Sequence, residues 1–318
     1  MPAESEQPYE RLSADAGYLA ASGWSVIKLT GDDRSKFLQS FCTADITAMV
    51  AGQVREAFVL NGKGKTIGHL NVLNLPDCLM LVGPGEQAAG LMQHLDMYII
   101  RDDVQLEDRS AATSSFLIAG RRSSERIAGL FDTSPAQGTC QTVTLDGTAA
   151  ELAHAEFAGE CYWLGVPTER AAEVGQRLQA AGCGRVPAAT FDMLRLQQGT
   201  PWFGHETTPD NLPQELNRDD KTISFTKGCY LGQETVARID SLGRVNKLLV
   251  VLKFAGAEPT VGQELKQDGK TIGRLTSVAA VPGQAGWRAL AFVKRELAQP
   301  GSQVGGGVVE ALTNRGDA

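Results

Sequence analysis

Residues 192–244 read DMLRLQQGTPWFGHETTPDNLPQELNRDDKTISFTKGCYLGQETVARIDSLGR, and their lack of pattern divides the chain. Pro201, Pro209 and Pro213 interrupt the stretch, and neither a helical nor a strand period shows before residue 230. A loop of that length inside a compact chain is either functional or disordered, and Trp202, Phe203 and Phe225 favour an ordered one. Upstream, strands and helices alternate. Residues 24–30 read as a strand, and Thr30 with Asp33 opens an amphipathic helix carrying Phe37, Leu38 and Phe41 on one face. A hairpin follows, with residues 56–60 leading into Asn61-Gly62 and two-residue alternation over residues 67–72. A strand at 78–82, a helix at 86–98 and a strand at 104–106 complete a first unit, residues 1–110.

A second unit, residues 111–245, repeats that texture with strands at 115–118, 142–145 and 162–166 and helices at 123–131 and 169–181. From residue 246 the character changes. LLVVLKF is followed by Gly262, Gly269, Gly273, Gly283, Gly286 and the run Gly305-Gly306-Gly307, which space short strands as in a small antiparallel barrel over 246–318. The fold class expected is therefore α+β: two mixed α/β sheet units plus a C-terminal small antiparallel β-barrel.

Charge excludes some functions. The 318 residues hold 30 Lys+Arg against 37 Asp+Glu, a net charge of −7, with no basic tract to follow phosphates. A direct nucleic-acid binder or an anionic-membrane binder needs such a tract, so neither partner is expected. No two of the six cysteines lie within twenty residues of each other, which excludes finger-type metal spacing and fits a reducing compartment. The four histidines form no paired motif, so no metal is expected. The acidic start resembles neither a signal nor a transit peptide, and the longest aliphatic run, residues 248–252, is too short to span a bilayer. A soluble, cytoplasmic protein is expected. The acidic doublets Asp32-Asp33, Asp102-Asp103 and Asp219-Asp220 read as caps or turns.

Cys229, in Lys227-Gly228-Cys229-Tyr230-Leu231-Gly232-Gln233-Glu234, is the cysteine whose context suits reactivity. An ammonium two residues upstream and a helix expected over Tyr230–Asp240 would both stabilise its thiolate. The competing reading is a small buried hydrophobe at a loop–helix junction, since no histidine is placed in sequence to act as its base.

KGCYLGQE, together with Arg195-Leu196, Gly199, Pro201, Gly204 and Pro213-Gln214-Glu215, resembles the signature of YgfZ-type folate-binding proteins. These are relatives of the glycine-cleavage T-protein, an aminomethyltransferase. GDDRSKFLQSFCTADI at the front and DGKTIGRLTS with ALAFVKRE at the back extend the likeness over nearly the whole chain. The resemblance implies three parts around a central channel holding tetrahydrofolate or a one-carbon-substituted folate. It also implies a role in iron-sulfur cluster assembly or repair, hence in cluster-dependent tRNA modification, with iron-sulfur assembly proteins as partners.

Carried onto this chain, the resemblance makes Cys229 and Lys227 a redox or nucleophile pair and puts His69, Arg195, Gln197, Tyr230, Gln233 and Glu234 at the folate. Two positions depart from the T-protein pattern. Gly68-His69 stands where that family carries an Asp near the reactive folate nitrogens, and Gln197 stands where its R-L-E-x-G motif has Glu. An amide offers one acceptor and one donor group in place of a bidentate acceptor. Three readings stay open: a folate-binding assembly factor with a working thiol, a tetrahydrofolate-dependent one-carbon transferase using His69 as the acid, and a scaffold with a vestigial folate site.

Overall fold

The computed structural model describes residues 6–243, 245–281 and 286–310, so the acidic start at Glu4 and the turn at Gly283 lie outside the described residues. The chain begins with α1 (Glu6–Ala14), β1 (Ala16–Ala21), β2 (Trp24–Thr30), α2 (Arg34–Gln39), β3 (Val54–Leu60), β4 (Thr66–Asn74), β5 (Leu79–Pro84), α3 (Ala88–Asp96) and β6 (Gln105–Asp108). Strands β2 to β6 form one antiparallel sheet in the order β3-β4-β5-β2-β6. Side chains alternate across a strand, so the sheet sorts its residues onto two faces. Ile27, Leu29, Leu70, Val72, Leu79 and Leu81 pack outward with Phe37 and Leu38 of α2 and Leu91 and Leu95 of α3. Trp24, Val26, Val54, Leu73, Met80 and Val82 face inward.

The next elements are β7 (Thr113–Ala119), α4 (Ser123–Phe131), β8 (Thr139–Leu145), β9 (Thr148–Glu156), β10 (Glu160–Pro167), α5 (Ala171–Ala180), β11 (Cys183–Arg185) and α6 (Ala188–Gln197). Their sheet runs β11-β1-β7-β10-β9-β8, with β1 parallel to β11 and the other pairs antiparallel. Its inner face, with Leu117, Ala119, Ala153, Cys161 and Trp163, packs on the inner face of the first sheet, while Ile127 of α4 and Val174 and Leu178 of α5 cover its outer face. Two sheets thus stand face to face with helices outside.

After α6 the chain runs through α7 (Asp219–Thr222) and α8 (Gln233–Leu242) to β12 (Lys247–Phe254), β13 (Glu264–Gln267), β14 (Lys270–Ala280), β15 (Trp287–Lys294), β16 (Gln303–Val304) and β17 (Gly307–Val309). The sheet order β13-β14-β15-β12-β17-β16 is antiparallel throughout and nearly closes on itself. Gly305 makes the closing approach. A Cβ there would stand 2.7 Å from Leu265 Cδ2, and its φ of 56° is left-handed.

The α+β class and the terminal barrel are as expected; several elements differ. β1 is an Ala- and Gly-rich strand with no strong strand propensity, and burial between β7 and β11 decides its state. It also draws residues 6–21, expected with the first unit, onto the second sheet. β9, TAAELAHAE, has a helix-like composition but is a strand because Asp146 and Gly147, both at positive φ, form a two-residue hairpin turn after β8. The hairpin at Asn61 is present with a longer turn. Asn61 Oδ1 accepts from the backbone N–H of Lys63 and Lys65, and the left-handed position is Gly64, not Gly62. α6 extends helix to Gln197, where a loop was expected from residue 192, and α8 begins at Gln233 rather than Tyr230.

Arg195 of α6 bolts the barrel to this frame. Its guanidinium is 2% exposed and donates to Asp192 Oδ1 (3.0 Å), Glu206 Oε2 (3.0 Å) and Ser277 Oγ (2.7 Å). Ser277 in turn donates to Glu206 Oε1 (2.5 Å). A β-bulge between Leu275 and Ser277 accompanies this contact. Buried ions are tolerated only when paired and hydrogen-bonded, and here each is. Ser277→Ala removes a hydroxyl shared by both ions and is expected to cost ~1–3 kcal/mol in urea unfolding; unchanged stability would show that the bolt carries no load.

Candidate functional site

The segment after α6 lies across the first sheet, and backbone contacts hold it there. Thr43 Oγ1 donates to Thr222 O (2.6 Å), Ser224 N to Thr43 O (2.9 Å) and Leu231 N to Ser40 O (2.8 Å). Residues 222–231 therefore run along residues 40–43, and two stretches that resemble the same family meet as one surface.

Lys227 drives that docking. Its side chain is buried, and its Nζ donates to three carbonyls at and just beyond the end of α2: Gln39 (2.7 Å), Cys42 (2.8 Å) and Ala44 (2.7 Å). A cation beside the carbonyl end of a helix is favourable. Burial lowers the ammonium's pKa from its ordinary value, opposed by Cys42 and Asp45. The Nζ also lies 4.9 Å from the centre of the Tyr230 ring. Tyr230 is 7% exposed within an aliphatic cluster, and burial pushes its hydroxyl up to about 12.

The structure gives the two residues of the expected thiol pair different surroundings. Cys229 is exposed, as a reactive thiol requires, and the other five cysteines are buried. The Lys227 ammonium, however, has its three hydrogen bonds committed to carbonyls, and α8 starts four residues after Cys229 with Gly232 as its cap. Lys227 thus positions the loop that displays the sulfur. Gln233 is half-buried and Glu234 exposed at the start of α8.

A second constellation occupies the inner face of the first sheet. Glu56 of β3 accepts from His69 Nε2 of β4 (2.6 Å) and from Arg218 Nε (2.7 Å) and Nη2 (2.5 Å). Arg218 Nη2 also reaches Glu156 Oε2 at the end of β9 (3.0 Å), and Lys221 Nζ donates to both Glu156 oxygens (2.5 and 2.7 Å). Burial would raise the Glu56 carboxyl, but the Arg218 charge and the His69 hydrogen bond outweigh it and hold it well below the carboxylate range. Burial likewise opposes the Arg218 charge, and Glu56 and Glu156 overcome it and keep the guanidinium ionised.

An ionised carboxylate only accepts, so His69 donates from Nε2, and its Nδ1 lies 3.4 Å from the hydroxyl of Thr207. His69 is 5% exposed, with both nitrogens engaged. It is built into a hydrogen-bonded relay with Glu56 and Thr207. Two other residues expected at the folate have these surroundings. Arg195 is the barrel bolt described above, and Gln197 is exposed at the end of α6, where its Oε1 accepts from Tyr9 of α1 (3.2 Å). Sequence reading missed Glu56, Thr207, Arg218, Glu156 and Lys221. Glu56 alone left a signal, as an acid in the strand VREAFVL on the register of its inward side chains.

The acidic doublets serve loops and a helix. Asp33 Oδ2 accepts from Asp103 N and Asp103 Oδ2 from Asp32 N, each 3.0 Å, which ties two turns together. Asp219 opens α7, and burial, aided by Asp220 and Asp240, pushes its carboxyl up to about 6.

Comparison with known proteins places this geometry. The model of the GCVT N-terminal domain matches residues 3–225. A chloroplastic protein of Arabidopsis thaliana described as a transferase is 27% identical over 288 residues; the match covers 87% of this chain, which spans only 65% of that protein's length. The tRNA-modifying protein YgfZ of Yersinia pseudotuberculosis is 27% identical over 270 residues, 83% of this chain and 79% of that one. The glycine cleavage system aminomethyltransferase T of Bartonella henselae superposes with a TM-score of 0.80 at 18% identity, covering 97% of this chain and 88% of the other, so the fold is shared.

Two experiments follow from the motif and from Asp219. Gly232 has φ +82° and a Cβ there would meet Asn61 O at 2.7 Å, whereas Gly228 has open space around it. Gly232→Ala is expected to cost ~1–3 kcal/mol in chemical denaturation and Gly228→Ala less than ~0.5 kcal/mol. Equal costs would refute the packing argument. Asp219 binds its proton more tightly folded than unfolded, so its contribution falls as pH rises from its ordinary 3.8 through about 6. Asp219→Asn should therefore stabilise by ~1–3 kcal/mol at pH 7.5 and by nothing below about pH 4. A gain that ignores pH would contradict this.

Proposed function

Because the chain belongs to the family of the GCVT N-terminal domain, we propose that it is a tetrahydrofolate-binding protein supporting iron-sulfur cluster assembly or repair, and thereby cluster-dependent tRNA modification, in the cytoplasm. The observation that carries the choice between binding and catalysis is His69. It stands where the T-protein resemblance calls for an acid, yet both of its ring nitrogens are taken by Glu56 and Thr207. General acid–base work needs a proton-carrying group within reach of substrate, and His69 is 5% exposed with its Nε2–H directed to Glu56. On this reading folate is bound without a free acid to drive one-carbon transfer.

The residues on that face suit a pterin. Two carboxylates, Glu56 and Glu156, balance two cations, Arg218 and Lys221, so the relay presents no net charge to a neutral ring. A bound folate would supply a one-carbon carrier. The chain's own residues would orient it along the inner face and keep water from it. Cys229, exposed on the loop that Lys227 anchors, is the group able to ligate a partner's cluster iron as the thiolate, its proton passing to solvent.

Calorimetric titration with tetrahydrofolate is the first test and should give saturable binding. In single turnover with an aminomethyl donor, no methylenetetrahydrofolate should form. Cys229→Ala should leave the melting temperature unchanged and lower the activity of cluster-dependent tRNA-modifying enzymes in cells lacking the native protein. Absence of folate binding would sink the proposal, and product formation would replace it with the transferase reading.

A further inference from the structure

Asn71 lies on β4, directly opposite Glu56 on β3 and Val82 on β5. Two-residue alternation places it on the same inner face as His69 and Leu73. It is 6% exposed, and among the described residues its side chain makes no hydrogen bond. Its amide is not sealed, since neither atom is among the orphan polar atoms shut off from solvent. A buried amide without a partner is costly, and native structures satisfy such groups with water or a ligand.

The neighbouring charged side chains are hydrogen-bonded to one another, and none of them bonds to it. Glu56 holds His69 and Arg218, Arg218 holds both carboxylates, and Lys221 holds Glu156. Within this cluster Asn71 is the polar side chain left with two donors and an acceptor to offer. The charges beside it cancel, so neither an anion nor a cation finds an unpaired counter-charge there. What the amide can recognise is a neutral edge carrying a carbonyl beside an N–H, with which it closes two hydrogen bonds at once.

We propose that Asn71 is a specificity-determining contact, reading the neutral lactam edge of the bound pterin. This rests on the folate reading above and assigns the ring's hydrogen-bonding edge to the inner face of β4. The amide is retained at a cost to the ligand-free protein because the ligand satisfies it, so stability and affinity should move in opposite directions on substitution.

Asn71→Leu, close in size and apolar, separates the possibilities. Ligand-free Asn71→Leu should melt a few degrees above the native protein, since an unpaired amide has left the core. By calorimetry its Kd for tetrahydrofolate should rise ten- to hundredfold. Asn71→Asp, which keeps the shape but replaces the donors with a charge, should weaken binding at least as much and supplies the affinity arm should the leucine variant fail to fold. Equal Kd values for native and variant proteins, or an Asn71→Leu melting point several degrees lower, would overturn the assignment. If the native protein itself binds no tetrahydrofolate, the folate reading fails and this one with it. Binding by the native protein with no effect of either substitution removes only the role of Asn71.

Discussion

One guanidinium holds the two halves of this molecule in register. Arg218 enters from the segment that leaves α6, forks onto Glu56 of the first sheet and reaches Glu156 of the second. The sheets already share an apolar interface built around Trp24, Leu117, Phe157 and Trp163. Apolar contact is not directional and tolerates sliding, whereas a bidentate ion pair fixes angle and distance. Such a pair does not add much net stability, because desolvation offsets most of its attraction. Its consequence is geometric: it decides where Glu56, His69 and Asn71 stand relative to β9.

The same segment uses a second buried cation in another way. Lys227 has no carboxylate partner among its hydrogen bonds and sits on three carbonyls at and just beyond the end of α2. A point charge with three donors suits converging oxygens better than a planar guanidinium would. The burial of Lys227 and Tyr230 and the exposure of Cys229 between them follow from one contact: residues on either side are pulled in, and the sulfur is left at the tip. Order at the base of the loop and access at its tip arise together.

The barrel joins by a third ionic device, Arg195 with Glu206 and Ser277, again on the linking segment. All three buried cations thus belong to residues 195–227, a stretch with little regular structure of its own. A segment that cannot hydrogen-bond its backbone into a ladder must satisfy it through neighbours, and these side chains set where it does so.

Periodicity made much of the fold legible. The outward faces of β2 and α3, the Asn61 hairpin and the glycine-spaced barrel all read from pattern, because burial on one face imposes a period of 2 or 3.6. Strands β1 and β9 escaped because alanine-rich segments carry weak strand preference; the Asp146-Gly147 turn was the signal that would have found β9. Cys229 stood out in the sequence by its Lys227 neighbour and the helix that follows, but its exposure and the direction of the Lys227 side chain did not. Glu56 and Arg218 lie 162 residues apart, and no local rule relates them. Sequence alone determined the α+β class, the Asn61 hairpin and the terminal barrel, and it singled out Cys229, since those depend on neighbours a few residues away. Only the tertiary structure decided that the histidine would be locked, that the lysine would face inward and that Asn71 would be left unpaired, because each depends on partners brought together from distant parts of the chain.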